Sequence, residues 1–383
     1  MTGGRSPDAV VVGGGLIGSS IAYTLTCAGV RTLLIEQGDL ASGASGANFG
    51  NVQVQDAEFG LSLELSLQSY ARFATLEAEL DHDVGYSRSG SLLLAENDRH
   101  VALLRERADR LRAAGVDTTL LDQDEVCRLE PHLARGALVG ALYHAGEGRL
   151  NPFQLVHAYA LRARNRGLEV WTHSRVQSIE VQGRRATAVT TSQGRVAARW
   201  VIVAAGAWAH GLTLTAGLDL PLQWVHGEAA ITETLPPVTP NSLTTAAFFE
   251  ATEAAEAQAV GFCLRQRPHG NVMFGEAARV TRHLGRQGTT SGLSAMAAEA
   301  GRWLPALGRS TVIRSWAIPV AFTADRRPLL GPVDGIDNLL VATGLKSTII
   351  LTPLVGELIA AMVTGAPVDA RLAEFSPTRK IVD

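Results

Sequence analysis

The N-terminal segment constrains the fold more than any other part of the chain. Residues 8–36 read DAVVVGGGLIGSSIAYTLTCAGVRTLLIE, in which two apolar, strand-like runs flank a glycine-rich turn and a helix-like run. Gly13, Gly15 and Gly18 have the spacing G-x-G-x-x-G, and Glu36 ends the second strand. This order predicts a strand–helix–strand unit that binds a dinucleotide.

Each glycine of the motif has a mechanical reason. Gly13 permits the tight turn, Gly15 lets a pyrophosphate approach the backbone, and Gly18 lets the helix pack closely on the strand. The alternative is that the glycines serve packing only. Because an acidic residue follows at the end of the second strand, we favour the binding site.

The residues around the glycines complete the predicted site. The helix begins at Leu16 and Ile17, where free N–H groups and the positive end of the helix dipole attract a diphosphate. Glu36, followed by Gln37, can accept hydrogen bonds from both hydroxyls of a ribose and would repel a 2′-phosphate. The motif does not decide between FAD and NAD.

Composition limits the classes of function. The chain has 383 residues, 46% hydrophobic and 19% charged, which is typical of a well-buried globular protein with about two domains. Its net charge is −3 without basic clusters, so nucleic acids and anionic membranes are poor partners. The apolar runs 9–30 and 348–363 contain glycines, or a proline and a glutamate, and we interpret neither as transmembrane.

The cysteines indicate a reducing compartment. Cys27, Cys127 and Cys263 are far apart and odd in number, with no C-x-x-C pair. We therefore predict a cytoplasmic protein that holds no metal or iron–sulfur cluster by itself.

The segment ASGASGANFGNVQVQ, residues 41–55, is too polar and glycine-rich for a third strand and suits a loop that wraps around a ligand. Here the chain resembles the D-amino-acid oxidase and glycine oxidase superfamily of FAD enzymes, in which a similar loop follows the second strand. The resemblance implies that the loop runs along the pyrophosphate and ribityl chain of FAD. It assigns to this path Ser42, Ser45, Asn48, Gly50 and Asn51.

Further segments resemble the same family in the same order. They are residues 147–170, the strand beginning at Val176, the segment RWVIVAAGAWA (199–209) and residues 314–344. The resemblance implies that Val176 meets the adenine. It also implies FAD contacts for Ala205, Gly206, Trp208, Gly344, Leu345, Lys346, Ser347 and Thr348.

Within the family, the chain looks nearest to the FAD subunits of opine oxidase, hydrogen cyanide synthase and D-hydroxyproline dehydrogenase. The segments NFGNVQVQ (48–55) and RQRPHGNVMFGEA (265–277) carry this finer resemblance. It implies possible partner chains, namely a second flavin-type subunit and an iron–sulfur subunit.

The order of the segments predicts the architecture. We expect an α/β fold, with a Rossmann-like FAD-binding domain of the glutathione-reductase type and a discontinuous α+β substrate domain on a mixed or antiparallel sheet. The FAD-binding domain would comprise residues 1–85, 146–215 and 325–383. The substrate domain would comprise residues 86–145 and 216–324.

Lys346 is conspicuous because the thirty-four lysines and arginines include only two lysines. The resemblance places it at the N-terminus of the last helix, facing the pyrimidine end of the flavin. A cation there would stabilise negative charge on the reduced ring. Two alternatives remain: a role in the reaction with oxygen, as lysines near the flavin have in some relatives, or a salt bridge at the surface.

The substrate side departs from the family pattern. Val320 stands where the resemblance leads us to expect an arginine for the substrate carboxylate. Either another cation takes this role, with Arg265 ahead of Arg88 and Arg314, or the substrate has no carboxylate at that point. A surface or interdomain salt bridge is the simpler interpretation for each arginine. His226 and Tyr143 are weaker catalytic candidates, because lone residues of these types are more often structural.

The resemblance implies oxidation of the C–N bond of an amine or amino-acid-like substrate to an imine, by hydride transfer to flavin N5. Such a step requires orientation of the substrate more than a strong base. A second hypothesis is an electron-relaying flavin subunit of a heteromeric complex. A third is a nicotinamide-dependent dehydrogenase.

Overall fold

The computed structural model describes residues 6–250 and 259–381. Two kinds of layer make up the fold, helices and mixed sheets. The helices of the described residues are α1 (Leu16–Cys27), α2 (Ala44–Ala47), α3 (Leu61–Arg72), α4 (Leu76–Leu80), α5 (Asp98–Ala113), α6 (Gln123–Leu129), α7 (Pro152–Arg164), α8 (Ala209–Thr213), α9 (Ala247–Glu250), α10 (Thr290–Trp303) and α11 (Thr348–Thr364).

Strands alternate with these helices along most of the chain. They are β1 (Ala9–Val12), β2 (Thr32–Ile35), β3 (Asn51–Val52), β4 (Ser87–Arg88), β5 (Ser91–Ala95), β6 (Thr119–Asp122), β7 (Gly140–His144), β8 (Gly148–Arg149), β9 (Glu169–Trp171), β10 (Val176–Gln182), β11 (Arg185–Thr191), β12 (Gly194–Ala197), β13 (Trp200–Val203), β14 (Gln223–Thr234), β15 (Ser242–Thr245), β16 (Ala259–Gln266), β17 (Asn271–Thr281), β18 (Val312–Phe322), β19 (Leu329–Val333) and β20 (Ile336–Thr343).

A six-stranded sheet contains the N-terminal motif. Its order is β19-β20-β13-β1-β2-β9, and the pairs are parallel except for β19 with β20. The runs AVVV and TLLI of β1 and β2 are buried at every position, because both faces of the sheet are covered. Helices α1, α7 and α11 pack on one face, and the antiparallel sheet β10-β11-β12 packs on the other. We call this six-stranded unit the nucleotide sheet.

Three helices pack together beside the nucleotide sheet: α1 contacts both α7 and α11. The approach to α11 is close, because a Cβ at Gly356 would lie 2.4 Å from the hydroxyl oxygen of Ser20. That hydroxyl donates a hydrogen bond to the backbone oxygen of Thr352 at 2.8 Å, and Thr24 donates to that of Gly356 at 2.7 Å. These bonds fix the position of α11 and of the turn that precedes it.

An eight-stranded sheet lies opposite and has the order β18-β14-β17-β16-β15-β5-β7-β6. Its pairs are antiparallel except for β15 with β5, so it is mixed, as predicted. α10 packs on this sheet, and its Trp303 stacks on Phe262 of β16 with ring centroids 5.5 Å apart. We call this unit the cap sheet.

The predicted α/β fold with a mixed second sheet is confirmed. The division into an FAD-binding domain (1–85, 146–215 and 325–383) and a substrate domain (86–145 and 216–324) remains a proposal. Residues 1–5, 251–258 and 382–383 of that division lie outside the described residues. Within the described part of the chain, no helix has the length and apolar character needed to cross a membrane.

Candidate active site

A cleft of about 660 Å³ lies between the nucleotide sheet and the cap sheet. The residues that directly follow four strands of the nucleotide sheet line the cleft. They are Gly13 after β1, Glu36 after β2, Ala204 after β13 and Gly344 after β20. In open α/β sheets the carboxyl ends of the strands are where ligands bind. The cleft is therefore where the sequence motif predicts it.

The glycine turn leaves no room for larger residues at two positions. Gly13 has φ +113°, and a Cβ there would lie 2.4 Å from the backbone oxygen of Ala204. A Cβ at Gly18 would lie 1.8 Å from the backbone oxygen of Gly13. The roles predicted for these glycines, the tight turn and the close packing of the helix, match this geometry.

The carboxylate of Glu36 is fixed at the edge of the cleft. Its Oε2 accepts a hydrogen bond from the N–H of Gly14 at 2.7 Å, and its Oε1 accepts one from the N–H of Gly38 at 2.8 Å. A carboxylate has about four acceptor positions, so lone pairs remain for two ribose hydroxyls. The geometry therefore suits the adenosine end of a dinucleotide.

The loop that follows β2 folds over the start of α1. The hydroxyl oxygen of Ser45 accepts a hydrogen bond from the N–H of Leu16 at 2.9 Å, across from Gly15. Asn48 uses its side chain within the loop, because its Oδ1 accepts the N–H of Gly50 at 2.8 Å and its amide group donates to the backbone oxygen of Ala44 at 3.2 Å. These bonds preorganise the loop along the cleft.

Almost all predicted cofactor residues line this cleft. The exception is Gly18, which packs against Gly13 behind the turn. The others are Gly13, Gly15, Leu16, Ile17, Glu36, Gln37, Ser42, Ser45, Asn48, Gly50, Asn51, Val176, Ala205, Gly206, Trp208, Gly344, Leu345, Lys346, Ser347 and Thr348. Their individual contacts to a cofactor stay predictions.

The residues that line the cleft fit FAD. They offer a glycine turn at a helix N-terminus for the diphosphate, a carboxylate for the ribose and a path along residues 42–51 towards the cap sheet. The volume of the cleft falls in the range of cofactor sites, about 300–1,000 Å³.

Lys346 lies in the cleft wall, but its ammonium has a partner. Its Nζ lies 2.6 Å from Oε1 of Glu58 and donates a hydrogen bond to the backbone oxygen of Asp56 at 3.3 Å. The rings of Phe248 and Phe249 lie about 6 Å from Nζ, at 5.8 and 6.0 Å. An ion pair is thus present, but the lysine is largely buried and not at the surface, where the salt-bridge alternative placed it. A contact of Lys346 with the flavin stays a prediction.

Arg265 is buried behind the cleft, on β16 of the cap sheet. Its Nη1 donates a hydrogen bond to Oδ1 of Asn51 at 3.2 Å, and a Cβ at Gly50 would lie 3.4 Å from the same nitrogen. Burial lowers the pKa of Arg265 to about 9, and the nearby cations of Arg149 and Arg267 add to this shift. The arginine therefore supports the cofactor loop from behind.

His226 and Tyr143 do not line the cleft among the described residues. Burial lowers the pKa of His226, with a further contribution from Arg279, and its Nδ1 lies 3.8 Å from Oε1 of Glu228. Tyr143 lies on β7 against Gly90, where a Cβ would approach its hydroxyl oxygen to 3.0 Å. Their catalytic roles stay predictions.

The cleft wall contains residues that the sequence analysis did not select. They are Asp56, Glu276, Arg282, Arg286, Trp316 and Ile318. Trp316 donates its indole N–H to the backbone oxygen of Ala47 at 2.9 Å, which joins the cap sheet to the cofactor loop. For Glu276 a signal was available, because it is a single acidic residue within the otherwise apolar run NVMFGEAA.

The fold and cleft define a dinucleotide-binding protein, and the comparisons identify its family as one of oxidoreductases. The family model for DAO-type FAD-dependent oxidoreductases matches residues 8–362. The chain is 30% identical to the glycine oxidase of Geobacillus kaustophilus, over 98% of this chain and 97% of that protein. It is 26% identical to hydrogen cyanide synthase subunit HcnC of Pseudomonas aeruginosa, over 98% and 96% of the two chains.

A solved structure agrees with these matches. The crystal structure of glycine oxidase from Geobacillus kaustophilus superimposes with a TM-score of 0.89 at 28% identity, covering 98% of this chain and 99% of that one. The chain belongs to the DAO family of FAD-dependent oxidoreductases. The predicted superfamily, the cofactor FAD and the class of enzyme are confirmed, and a hydrogen cyanide synthase subunit is among the relatives, as expected.

Proposed function

We propose that this protein oxidises the C–N bond of an amine or amino-acid-like substrate to an imine, by hydride transfer to flavin N5. Candidate substrates are D-amino acids, opines, hydroxyproline, glycine and N-alkyl amino acids. The observation that carries the proposal is the continuous cleft from the glycine turn to the cap sheet, in a chain whose glycine oxidase relative aligns over nearly its full length.

The chain's own residues would bind and orient the substrate at the cap end of the cleft. Ala229, Trp316 and Ile318 give this end an apolar wall. Such a wall excludes water and strengthens each electrostatic contact inside the cleft. FAD, when bound along residues 42–51, supplies the oxidising group.

Val320 lines the same wall at the position where an arginine was expected. A carboxylate on the substrate therefore meets no cation at this position. Arg282 and Arg286 line the cleft and are charged, and the guanidinium of Arg286 lies 5.2 Å from the ring centre of Trp208. The cleft therefore favours a substrate whose carboxylate is absent or lies towards these two arginines.

A second candidate function is an electron-relaying flavin subunit in a heteromeric complex. The similarity to a hydrogen cyanide synthase subunit supports it, as does the apolar Val320 in the cleft wall. A second flavin-type subunit and an iron–sulfur subunit are the partners that this function would require. Cytoplasmic localisation likewise stays a prediction.

The test is an anaerobic screen of the FAD-loaded protein, in which loss of the oxidised flavin absorbance is followed after each substrate is added. We expect bleaching by at least one amine or amino acid. The same anaerobic sample without an amine is the control, because bleaching there would not report oxidation of a substrate. If no amine reduces the flavin unless a partner subunit is added, the second candidate is correct.

A further inference from the structure

Glu276 is a carboxyl group of the cleft that has no partner among the described residues. No hydrogen bond or ion pair from residues 6–250 or 259–381 reaches its side chain. By contrast, Glu228 accepts hydrogen bonds from the N–H and the hydroxyl of Thr289, at 2.7 and 2.9 Å. Glu36 is held by two backbone N–H groups of the nucleotide-binding loops.

Asp56 also lines the cleft and has one oxygen without a hydrogen-bond donor among the described residues. Burial raises the pKa of its carboxyl group, but Lys346 and Arg107 are close enough to oppose that effect. Glu276 has no such compensating cation, and burial alone raises its pKa.

The position of Glu276 is fixed by the cap sheet. It lies on β17, next to Ala277, which pairs with Glu228 of β14. A Cβ at Gly227 would lie 3.1 Å from its Oε1, so the glycine leaves space beside the carboxyl group. The neighbouring wall is formed by Ala229 and Trp316.

An unpaired carboxylate in an apolar cleft is costly, and the cost falls when a cation enters. An amine substrate arrives as an ammonium ion at neutral pH, because ordinary aliphatic amines have pKa values near that of lysine, about 10.4. Hydride can leave only the neutral amine, since its nitrogen lone pair forms the new C=N bond.

We propose that Glu276 pairs with the ammonium nitrogen of the substrate and accepts the proton that this nitrogen must lose before oxidation. The inference rests on the proposed function. It adds that the substrate nitrogen carries a proton when it binds, which excludes a quaternary ammonium substrate. Glu276 is then a catalytic residue that touches the reacting group.

The nitrogen loses its proton first, and the hydride leaves afterwards. One N–H bond of the ammonium breaks and its electron pair stays on nitrogen, while an O–H bond forms on Glu276. The adjacent C–H bond then breaks, its two electrons leave as hydride to FAD, and the lone pair of nitrogen closes the C=N bond. The oxidant is the cofactor of the family, and Glu276 returns its proton to solvent through the cleft.

Other titratable groups lie near enough to affect the pH response. On the strands that flank β17 they are Cys263 and Arg265 of β16, and His226 and Glu228 of β14. Burial raises the pKa of Cys263 to about 12, with a contribution from Glu276, so this thiol does not titrate near neutral pH. The cleft wall adds Asp56, whose pKa is raised by burial, and Lys346, Arg282 and Arg286.

The first experiment measures binding without turnover. tert-Butylammonium has no hydrogen on the carbon that bears nitrogen and cannot be oxidised, and tert-butanol is its neutral analogue. With the FAD-loaded wild-type protein, we expect tert-butylammonium to bind about tenfold more tightly than tert-butanol. Binding should tighten as pH rises through the pKa of Glu276, because only the carboxylate attracts the cation.

Calorimetry in buffers of different ionisation enthalpy adds a readout that needs no variant. Below the pKa of Glu276, binding of tert-butylammonium should release a proton, whereas tert-butanol should release none. An ammonium ion that binds no better than the alcohol, with no proton release at any pH, overturns the proposal.

The second experiment uses Glu276→Gln, which keeps the shape but cannot accept the proton. In this variant tert-butylammonium should lose its advantage over tert-butanol. With an amine that reduces the wild-type flavin, kcat/KM should fall by about 10²- to 10⁴-fold. The rise of kcat/KM that follows ionisation of Glu276 should vanish. In the variant, kcat/KM should instead rise as the free ammonium loses its proton, because only the neutral amine can then react.

Glu228→Gln is the matched comparison. This second carboxyl group lies in the same wall, but it already accepts hydrogen bonds from Thr289. It should keep the preference for the ammonium ion, and loss of that preference in Glu228→Gln alone would contradict our assignment. If no amine bleaches the wild-type flavin, the proposed function fails, and the binding experiment still decides the role of Glu276.

Discussion

The ammonium nitrogen of Lys346 lies 2.6 Å from Oε1 of Glu58, in a side-chain environment that is 15% exposed for the lysine and 33% for the glutamate. Burial acts to raise the pKa of Glu58. The charge and hydrogen bond of Lys346, together with the charges of Arg326 and Arg107, outweigh burial, so the pKa lies below its usual value. The cation in the cleft wall is therefore partly neutralised by an acid from a segment far away in the sequence.

Substitution of either member of this ion pair should change the reduction potential of the flavin, in opposite directions. Lys346→Met should lower the potential, because a cation that stabilises the reduced ring is lost. Glu58→Gln should raise it, because the ammonium is no longer neutralised. We expect shifts of about 30 mV or more, the two-electron equivalent of about 1.4 kcal/mol. Potentials are measured by reduction in the presence of a reference dye.

Lys380→Met is the control for these variants, because Lys380 is the second lysine of the chain and is exposed near the C-terminus. It should leave the potential unchanged. Equal potentials in wild type and Lys346→Met would show that Lys346 only forms a salt bridge.

The turn at Gly13 is expected to decide whether the protein holds FAD. In Gly13→Ala the new Cβ would meet the backbone oxygen of Ala204 at 2.4 Å, so the turn must move. We expect at least tenfold weaker FAD binding and a purified protein with little yellow colour. Gly29→Ala is the matched control, because Gly29 also has a positive φ, +77°, but has open space around it.

The control variant separates backbone strain from the collision. Gly29→Ala should reduce stability by about 1–2 kcal/mol, the cost of a left-handed alanine, while its FAD affinity remains that of the wild type. Both quantities follow from thermal unfolding and from titration of the apoprotein with FAD. Similar FAD affinities in the two variants would argue against the importance of the collision.

Arg265 is expected to act on the cofactor loop more than on the substrate. Arg265→Met removes the donor to Asn51 and should weaken FAD binding about tenfold, which is the value of one hydrogen bond from a charged group. Arg267→Met, on the same side of the cap sheet, should leave FAD affinity unchanged. An increase in KM confined to substrates with a carboxylate, at normal FAD affinity, would instead support the carboxylate-binding role.

The buried carboxyl group of Glu147 predicts a pH dependence of stability. Burial raises its pKa to about 8, although its Oε1 accepts the N–H groups of Val54 and Gln55 at 2.6 and 2.7 Å. The unfolded chain loses this proton near pH 4.5, whereas the folded protein keeps it up to about pH 8. The free energy of unfolding should therefore fall as pH rises between these values, by up to about 5 kcal/mol.

Glu147→Gln has no proton to lose and should flatten this dependence. We expect the variant to match or exceed the wild type near pH 8 and to be no more stable at acidic pH. Denaturant unfolding at a series of pH values, with FAD in fixed excess, measures the difference. Parallel curves for the two proteins would mean that Glu147 is ionised in the folded state.

Much of the nucleotide-binding half could be predicted from the sequence because its signals are local. The spacing of Gly13, Gly15 and Gly18 between two apolar strands defines a turn in which each residue contacts its chain neighbours or the adjacent strand. The polar run 41–55 likewise indicates a ligand loop by composition alone. Both features require only that a few consecutive residues adopt a certain backbone.

The tertiary structure decided which side chains meet in the cleft. Sequence spacing could not pair Lys346 with Glu58, or Arg265 with Asn51, because each pair is separated by more than two hundred residues. Nor could it distinguish Glu276, which has no partner among residues 6–250 and 259–381, from Glu228, which accepts hydrogen bonds from Thr289. Backbone turns follow from short-range sterics, whereas the charge and hydrogen bonding of a buried side chain depend on which distant segments pack against it.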